Sequence, residues 1–446
     1  MKTLLFSSAV LLSAIFSTVG NAAVKLPSVF TSNMVLQRDK PIAIWGWADP
    51  EEKVEISFAG TKSLVDTTKE GKWFAELPAQ KANATGQNLT IKASNTIELS
   101  DILIGDVWIG SGQSNMEWSL NASASPKETI AGANHPTIRL FHVPKVQAKE
   151  PANSINATWK ICTPQNIPNF SAVLYHFGVR LQKDLDIPVG LINSSWGGSR
   201  IEPWTVTSSG SGGMYNGMIA PLVPLTFKGV IWYQGESNVS EGMKYYERKK
   251  ALIEGWRTVF KNDMPFYFVQ IAPWANYQPG KLPELWEAQV ASLKIPGTGM
   301  AVTTDLVDNI KDIHPKNKFD VGNRLALWAL AKTYGKKDLV YSGPLFQSAK
   351  ADGAKMVLSF AHVADGLKSR DGKELSDFEI AGDDGVFVPA TAEIVGKTVV
   401  VSSEKVKAPS QVRFGWSNTC NPNLINSAGL PASPFRTKDW QGGTGE

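Results

Sequence analysis

The sequence predicts an α/β protein in which a doubly wound, parallel-sheet domain is flanked by two β-sandwich-like regions. Three observations predict it. Short apolar runs at 107–110, 189–193, 230–234, 266–271 and 300–304 have the length and unbroken hydrophobicity of strands buried on both faces of a sheet. Amphipathic helical patterns lie between them, and strand–helix–strand alternation winds a parallel sheet. On either side of that stretch, short alternating segments punctuated by Gly, Asn, Asp and Pro read as strands joined by turns.

Taken in order, Met1 and Lys2 precede an apolar run over 4–16 and small residues ending Gly20-Asn21-Ala22, the pattern of a secretion signal. Ser7, Ser8 and Ser13 interrupt the run, which is shorter than the roughly 20 apolar residues of a membrane span. Residues 1–22 are therefore set apart from the fold, and the mature chain is expected to be secreted or periplasmic without membrane insertion. Residues 23–100 hold alternating segments at 41–47, 54–58, 72–77 and 89–93 and predict a β-sandwich-like domain. Residues 101–337 form the doubly wound domain. Within it Val173, Leu174, Phe177, Leu181 and Leu185 recur at helical spacing, residues 245–260 mix charged with apolar positions, and Leu325, Leu327, Trp328 and Leu330 recur less regularly. Residues 121–157 have weak periodicity and predict a long loop excursion. Alternation returns at 355–360, 378–380, 386–388 and 398–402, so residues 338–446 predict a second β-rich domain.

Composition narrows the function. The net charge of +4 is spread along the chain without Lys/Arg runs, which sets nucleic acid and anionic membrane aside as partners. The two cysteines, Cys162 and Cys420, either pair across a long loop or stand free and buried; neither sits in a metal-binding cluster, and no cofactor is indicated. The 15 tryptophans suit a carbohydrate partner, since indole faces stack on sugar C–H surfaces, but most are expected to fill the core.

In open α/β sheets functional groups gather at the carboxyl ends of strands, and four strands here end in unusual segments. Val107-Trp-Ile-Gly-Ser-Gly-Gln-Ser-Asn-Met-Glu117 runs a strand into small residues and then Ser114, as a nucleophile elbow requires, although a turn serine reads the same way. Paired Gly197 and Gly198 follow the second strand and let backbone N–H groups approach a ligand. The third delivers Gln234, Glu236, Ser237 and Asn238, where an amide can serve an oxyanion and a carboxylate can orient a histidine. The fourth carries His314 with Asp312 two residues before it. His135, His142, His176 and His362 lie in the excursion, a helix or the last domain and are weaker candidates for a base.

Together these segments resemble the sialate O-acetylesterase family of the SGNH hydrolase superfamily, and the related acetylxylan esterases. The matching stretches are Gly112-Gln-Ser-Asn-Met116, Asn193-Ser-Ser-Trp-Gly-Gly198, Trp232-Tyr-Gln-Gly-Glu-Ser-Asn238 and Asp312-Ile-His-Pro-Lys-Asn-Lys318, with further likeness at Phe30-Thr-Ser-Asn-Met-Val-Leu-Gln37 and from Asn423 to Arg436. The resemblance implies a flavodoxin-like SGNH catalytic domain and a metal-independent esterase removing acetyl groups from carbohydrate. It implies Ser114 as nucleophile, His314 as base, and the Ser114 N–H, a Gly197 or Gly198 N–H and the Gln234 amide as oxyanion donors. Superfamily members often place the acid three residues before the histidine, where this chain has Lys311. Asp312 is then the first candidate to orient His314, and Glu236 the second. Arg200, Trp118, Trp196 and Trp204 flank the motifs as candidate substrate contacts, Arg200 for a carboxylate such as that of a sialic acid. A glycoside hydrolase pairing Glu236 with Asp305, Asp308 or Asp312, and a noncatalytic sugar-binding protein, are the competing expectations.

Overall fold

The computed structural model describes residues 23–445, so the signal expected at residues 1–22 lies outside the described residues. The chain is a mixed α/β protein with one large sheet of 11 strands and several small ones. At the centre of the large sheet run parallel strands β1 (Thr96–Gly112), β2 (His135–His142), β3 (Val189–Ser195), β4 (Gly229–Tyr233), β5 (Phe266–Val269) and β6 (Thr298–Ala301). They lie side by side in the order β6-β5-β4-β1-β3-β2. After β1 the chain winds to one side, and after β3 it winds to the other. The carboxyl ends of β1, β3 and β4 therefore flank the crevice that forms where winding reverses.

β1 records two environments along one strand. Over its first six residues burial alternates, and there it pairs antiparallel with Asn83–Lys92 of the N-terminal sheet. From Ile102 onward every residue is buried, as a strand covered on both faces must be. The boundary expected at 100/101 thus falls inside a continuous strand, and the buried side chains of the two regions form one cluster that includes Ile56, Ile91 and Trp108. The C-terminal strands keep a separate core around Phe346, Phe378, Phe414 and Phe435. Asp106, buried in β1, would be costly alone. Arg38 donates to both of its oxygens at 3.0 Å, and Gln37 and Tyr334 add bonds of 2.8 Å, which fastens the early chain to the sheet.

Helices α1 (Ser114–Glu117), α2 (Ala172–Leu185), α3 (Lys244–Phe260), α4 (Lys281–Ala291) and α5 (Lys318–Trp328) are interspersed with these strands, and helices cover both faces of the sheet. Phe266 and Tyr267 are consecutive in β5 and so point to opposite sides. Tyr267 shares its side with Trp108, against which Phe177 of α2 packs at 4.9 Å, and with Trp328 of α5, at 6.5 Å. Phe266 shares its side with Trp232 and with Trp256 of α3, at about 6 Å. Among the described residues no helix is long and apolar enough to cross a membrane.

One expectation is corrected and one open alternative is resolved. The excursion at 121–157 contains β2, whose buried stretch is only Ile138 to Phe141, with Arg139 inside it, too short to register as periodicity. Arg139 is tolerated there because it is paired with Asp101 at 2.8 Å. Cys162 and Cys420 are both free and buried rather than joined. Burial pushes the Cys162 thiol up to about 12 and raises that of Cys420 as well.

Gly112, at the end of β1, has φ +134°, and a Cβ there would lie 2.1 Å from the Tyr233 carbonyl oxygen. Gly198 has φ +73° with nothing near its missing Cβ. Gly112→Ala is expected to lower stability by more than about 3 kcal/mol, and Gly198→Ala by about 1 to 2 kcal/mol of backbone strain alone. Thermal denaturation checks the ranking, and equal melting temperatures for the two variants would contradict it.

Candidate active site

The chain leaves β1 at Gly112, and the Gln113 carbonyl accepts from the N–H groups of Met116 and Glu117, starting α1 at Ser114. The Ser114 N–H, at the first helical position, has no acceptor within the helix and stands at the positive end of its dipoles. The Ser114 side chain meets His314, 200 residues later: Oγ and Nε2 are 2.9 Å apart. A hydroxyl so placed can hand its proton to the imidazole as it attacks a carbonyl carbon.

His314 lies in the loop after β6. The Asp312 carboxylate accepts the His314 backbone N–H at 2.9 Å, and the same oxygen lies 3.5 Å from Nδ1, so Asp312 faces the ring nitrogen that does not meet Ser114. The Trp118 ring stacks on the imidazole with centroids 4.4 Å apart. Burial is the main cause that lowers the His314 pKa, the Lys318 charge adds to it, and Asp312 opposes both. The ring therefore stays neutral, and able to accept a proton, further into the acid range than an ordinary histidine.

Ser114, His314, Gly197, Gly198, Glu236 and Trp274 help line one cavity of about 610 Å³. The Gly198 N–H has no partner among the described residues, whereas the Gly197 N–H donates to Glu117 at 2.6 Å. Of the two glycines, only Gly198 is left as a backbone donor. Gln234 does not serve an oxyanion either: its amide nitrogen donates to Asn238 at 2.7 Å and to the Ser199 carbonyl, and its oxygen accepts from Tyr245. It is wholly buried away from the cavity. Gln113 does line the cavity, and its amide nitrogen has no partner among the described residues.

Glu236 is buried, and burial pushes its carboxyl up. Its Oε1 accepts from Asn115 at 2.6 Å, so its contact is with the residue after Ser114 and not with His314. Asp312 is therefore the carboxylate in place to orient the ring. The paired-carboxylate alternative loses Asp305, whose oxygens are held by Arg324 at 2.7 and 2.6 Å.

Of the expected substrate contacts, Trp118 is beside the reacting groups. Trp204 is fully buried, donating to Ser199 and packed at right angles to Trp232, so it is core. Trp196 packs partly buried against the core, outside the cavity lining. Arg200 is held by Glu202 and Glu241, and this neutralises the charge expected to meet a substrate carboxylate. Trp274 was not anticipated, although it follows the carboxyl end of β5, where such residues belong; its Nε1 donates to the Lys311 carbonyl at 3.1 Å and fixes the ring at the cavity wall.

The arrangement has counterparts. Residues 104–331 match the family model of the sialic acid-specific acetylesterases, a family of carbohydrate esterases. Human sialate O-acetylesterase (Homo sapiens) is 29% identical over 92% of this chain and 92% of its own length, and the mouse protein of that name (Mus musculus) 31% over 76% and 79%. A crystal structure of a carbohydrate acetylesterase from Xanthomonas citri superposes with a TM-score of 0.90 at 41% identity, covering 94% of this chain and all of that one.

The His314 imidazole is expected to titrate below the ordinary histidine value of about 6.5. In Asp312→Asn it should titrate lower still, because the carboxylate is the group that raises it. NMR titration of labelled histidine, with His314→Gln to assign the signal, checks both; an upward move in Asp312→Asn would contradict the electrostatics described.

Proposed function

The chain belongs to the sialic acid-specific acetylesterase family of carbohydrate esterases and is a carboxylic ester hydrolase, and from that premise we propose that it removes O-acetyl groups from sugars through an acetyl-enzyme on Ser114. The observation that carries the reading is the 2.9 Å contact between Ser114 Oγ and His314 Nε2 at the mouth of the crevice. We read residues 101–337 as an SGNH-type catalytic region joined through its first strand to accessory region 23–100 and followed by accessory region 338–446, and residues 1–22 as a signal that directs the chain to the periplasm or beyond the cell.

In the first half-reaction Ser114 Oγ bonds to the acetyl carbonyl carbon as its proton passes to His314 Nε2. The carbonyl oxygen takes the negative charge and is met by the N–H groups of Ser114 and Gly198. The bond from carbon to sugar oxygen then breaks, and that oxygen takes the proton from Nε2. In the second half-reaction water attacks the acetyl-serine, Nε2 accepts its proton, and the carbon–Oγ bond breaks as Oγ recovers that proton, releasing acetate. Asp312 favours the tautomer with its proton on Nδ1 and offsets the positive charge of the transient imidazolium. Trp274 offers the sugar ring a flat apolar face.

Ser114→Ala and His314→Ala, each checked for intact folding by circular dichroism, are expected to lower p-nitrophenyl acetate hydrolysis by about 10⁴-fold or more. A Ser114→Ala protein as active as the parent would remove the proposal. Trp274→Ala should raise KM for an acetylated oligosaccharide by about 10-fold, a larger effect than on p-nitrophenyl acetate, which has no sugar ring to stack. Equal effects on the two substrates would take Trp274 out of sugar recognition.

A further inference from the structure

Lys318 was part of the histidine motif, yet the steps above give it no task. It is the first residue of α5 and 1% exposed. A cation there meets two penalties, loss of water and the positive end of a helix. What compensates is specific. Nζ donates to Asn115 Oδ1 at 2.5 Å and lies 5.4 Å from the Tyr233 ring centre and 5.8 Å from that of Trp118. An ammonium can only donate, so it requires the oxygen of the Asn115 amide to face it and turns the amide nitrogen the other way. That nitrogen donates to Glu236 Oε1 at 2.6 Å and to the Ile313 carbonyl at 3.1 Å. The Ile313 carbonyl belongs to the peptide unit whose N–H is that of His314, and this N–H is held by Asp312. One side chain, adjacent to Ser114, thereby clamps the peptide that carries His314.

We propose that Lys318 is a positioning residue for the proposed reaction: its ammonium sets the direction of the Asn115 amide, and that amide holds the Ser114 and His314 loops in register. The inference rests on the Ser114–His314 reading. It has an electrostatic consequence. His314 is faced by Asp312 from its own loop and by Lys318 from α5; Lys318 is faced in turn by Glu236, Asp308 and Asp312. Burial pulls the Lys318 ammonium down to about 7 and these carboxylates oppose the fall. While charged, Lys318 disfavours a second positive charge on His314, so removing it lets the imidazole protonate at higher pH.

The test uses p-nitrophenyl acetate and the whole mature chain, with kcat, KM and the pH profile of kcat/KM measured for Lys318→Met, Lys318→Arg and Asn115→Ser. Misplacing a reacting group by an ångström costs about 10²-fold, so Lys318→Met should lose about that much in kcat with little change in KM, and the acid limb of its profile should move to higher pH. Lys318→Arg, which keeps the charge and the donor, should keep the limb in place. Asn115→Ser breaks the clamp but retains the charge, so kcat should fall while the limb stays. A folded Lys318→Met with kcat within about threefold of the parent and an unmoved limb would overturn the inference. If that variant does not fold, Asn115→Ser decides, and a parental kcat overturns the inference. Ser114→Ala measured alongside separates the failures: if it is inactive, only the Lys318 role falls, and if it is active, the underlying reading falls too.

Discussion

At Gly112 three strands converge on a backbone that has no room for a side chain, and the site depends on that close approach. Its carbonyl accepts the N–H of Trp196 at 3.0 Å, while the next residue donates to the carbonyl of Tyr233, so the ends of β1, β3 and β4 are joined within two residues. The positive φ turns the chain out of the sheet at the carboxyl edge. From that turn follow the start of α1 at Ser114, the free N–H at its head, and the nearness of the Gly197–Gly198 segment that continues from β3. A Cβ on Gly197 would already touch that of Ser114, at 3.4 Å.

The elements most legible in the sequence were those with a local cause. Strands β3 to β6 are short apolar runs because both their faces are covered, and the second half of β1 is read the same way. β2 was lost because its buried run is four residues long and contains a paired arginine. Ser114 and His314 were legible because chemistry-bearing residues directly after apolar strands are uneconomical as ordinary turns. Their helpers were legible only in part: Asp312, the first candidate, does face the imidazole, but others named with it do not reach the site. Gln234 and Arg200 have the right chemistry at the right strand ends, but Asn238, Tyr245, Glu202 and Glu241 already occupy them, and such occupation depends on side chains brought in from elsewhere. The tryptophans show the same limit: Trp204 and Trp274 both follow motifs or strands, yet one is wholly buried and the other lines the cavity.

Two of the buried charged clusters lie along β1. Asp106 receives Arg38, Gln37 and Tyr334 in its middle, and the Lys318–Asn115–Glu236 chain sits just past its end. Buried ionic groups are poor sources of stability compared with apolar packing of the same volume, but removing one partner leaves a strongly disfavoured charge. Their value here is directional. A hydrophobic contact would tolerate a small slide of one loop against another, whereas a donor-only ammonium, an amide and a carboxylate in sequence admit one arrangement.

Because β1 is shared between the N-terminal sheet and the central sheet, the two regions have no linker between them and hence no hinge. They cannot swing apart, so the crevice is not opened by rotation of the N-terminal region against the central sheet. Cutting the chain near residue 100 would not liberate an autonomous enzyme. It would sever a hydrogen-bonded ladder, strip the sheet of Arg38 and uncover apolar strand surface that invites aggregation. The N-terminal region and the sheet behind the nucleophile are expected to fold, and to be inherited, as one unit.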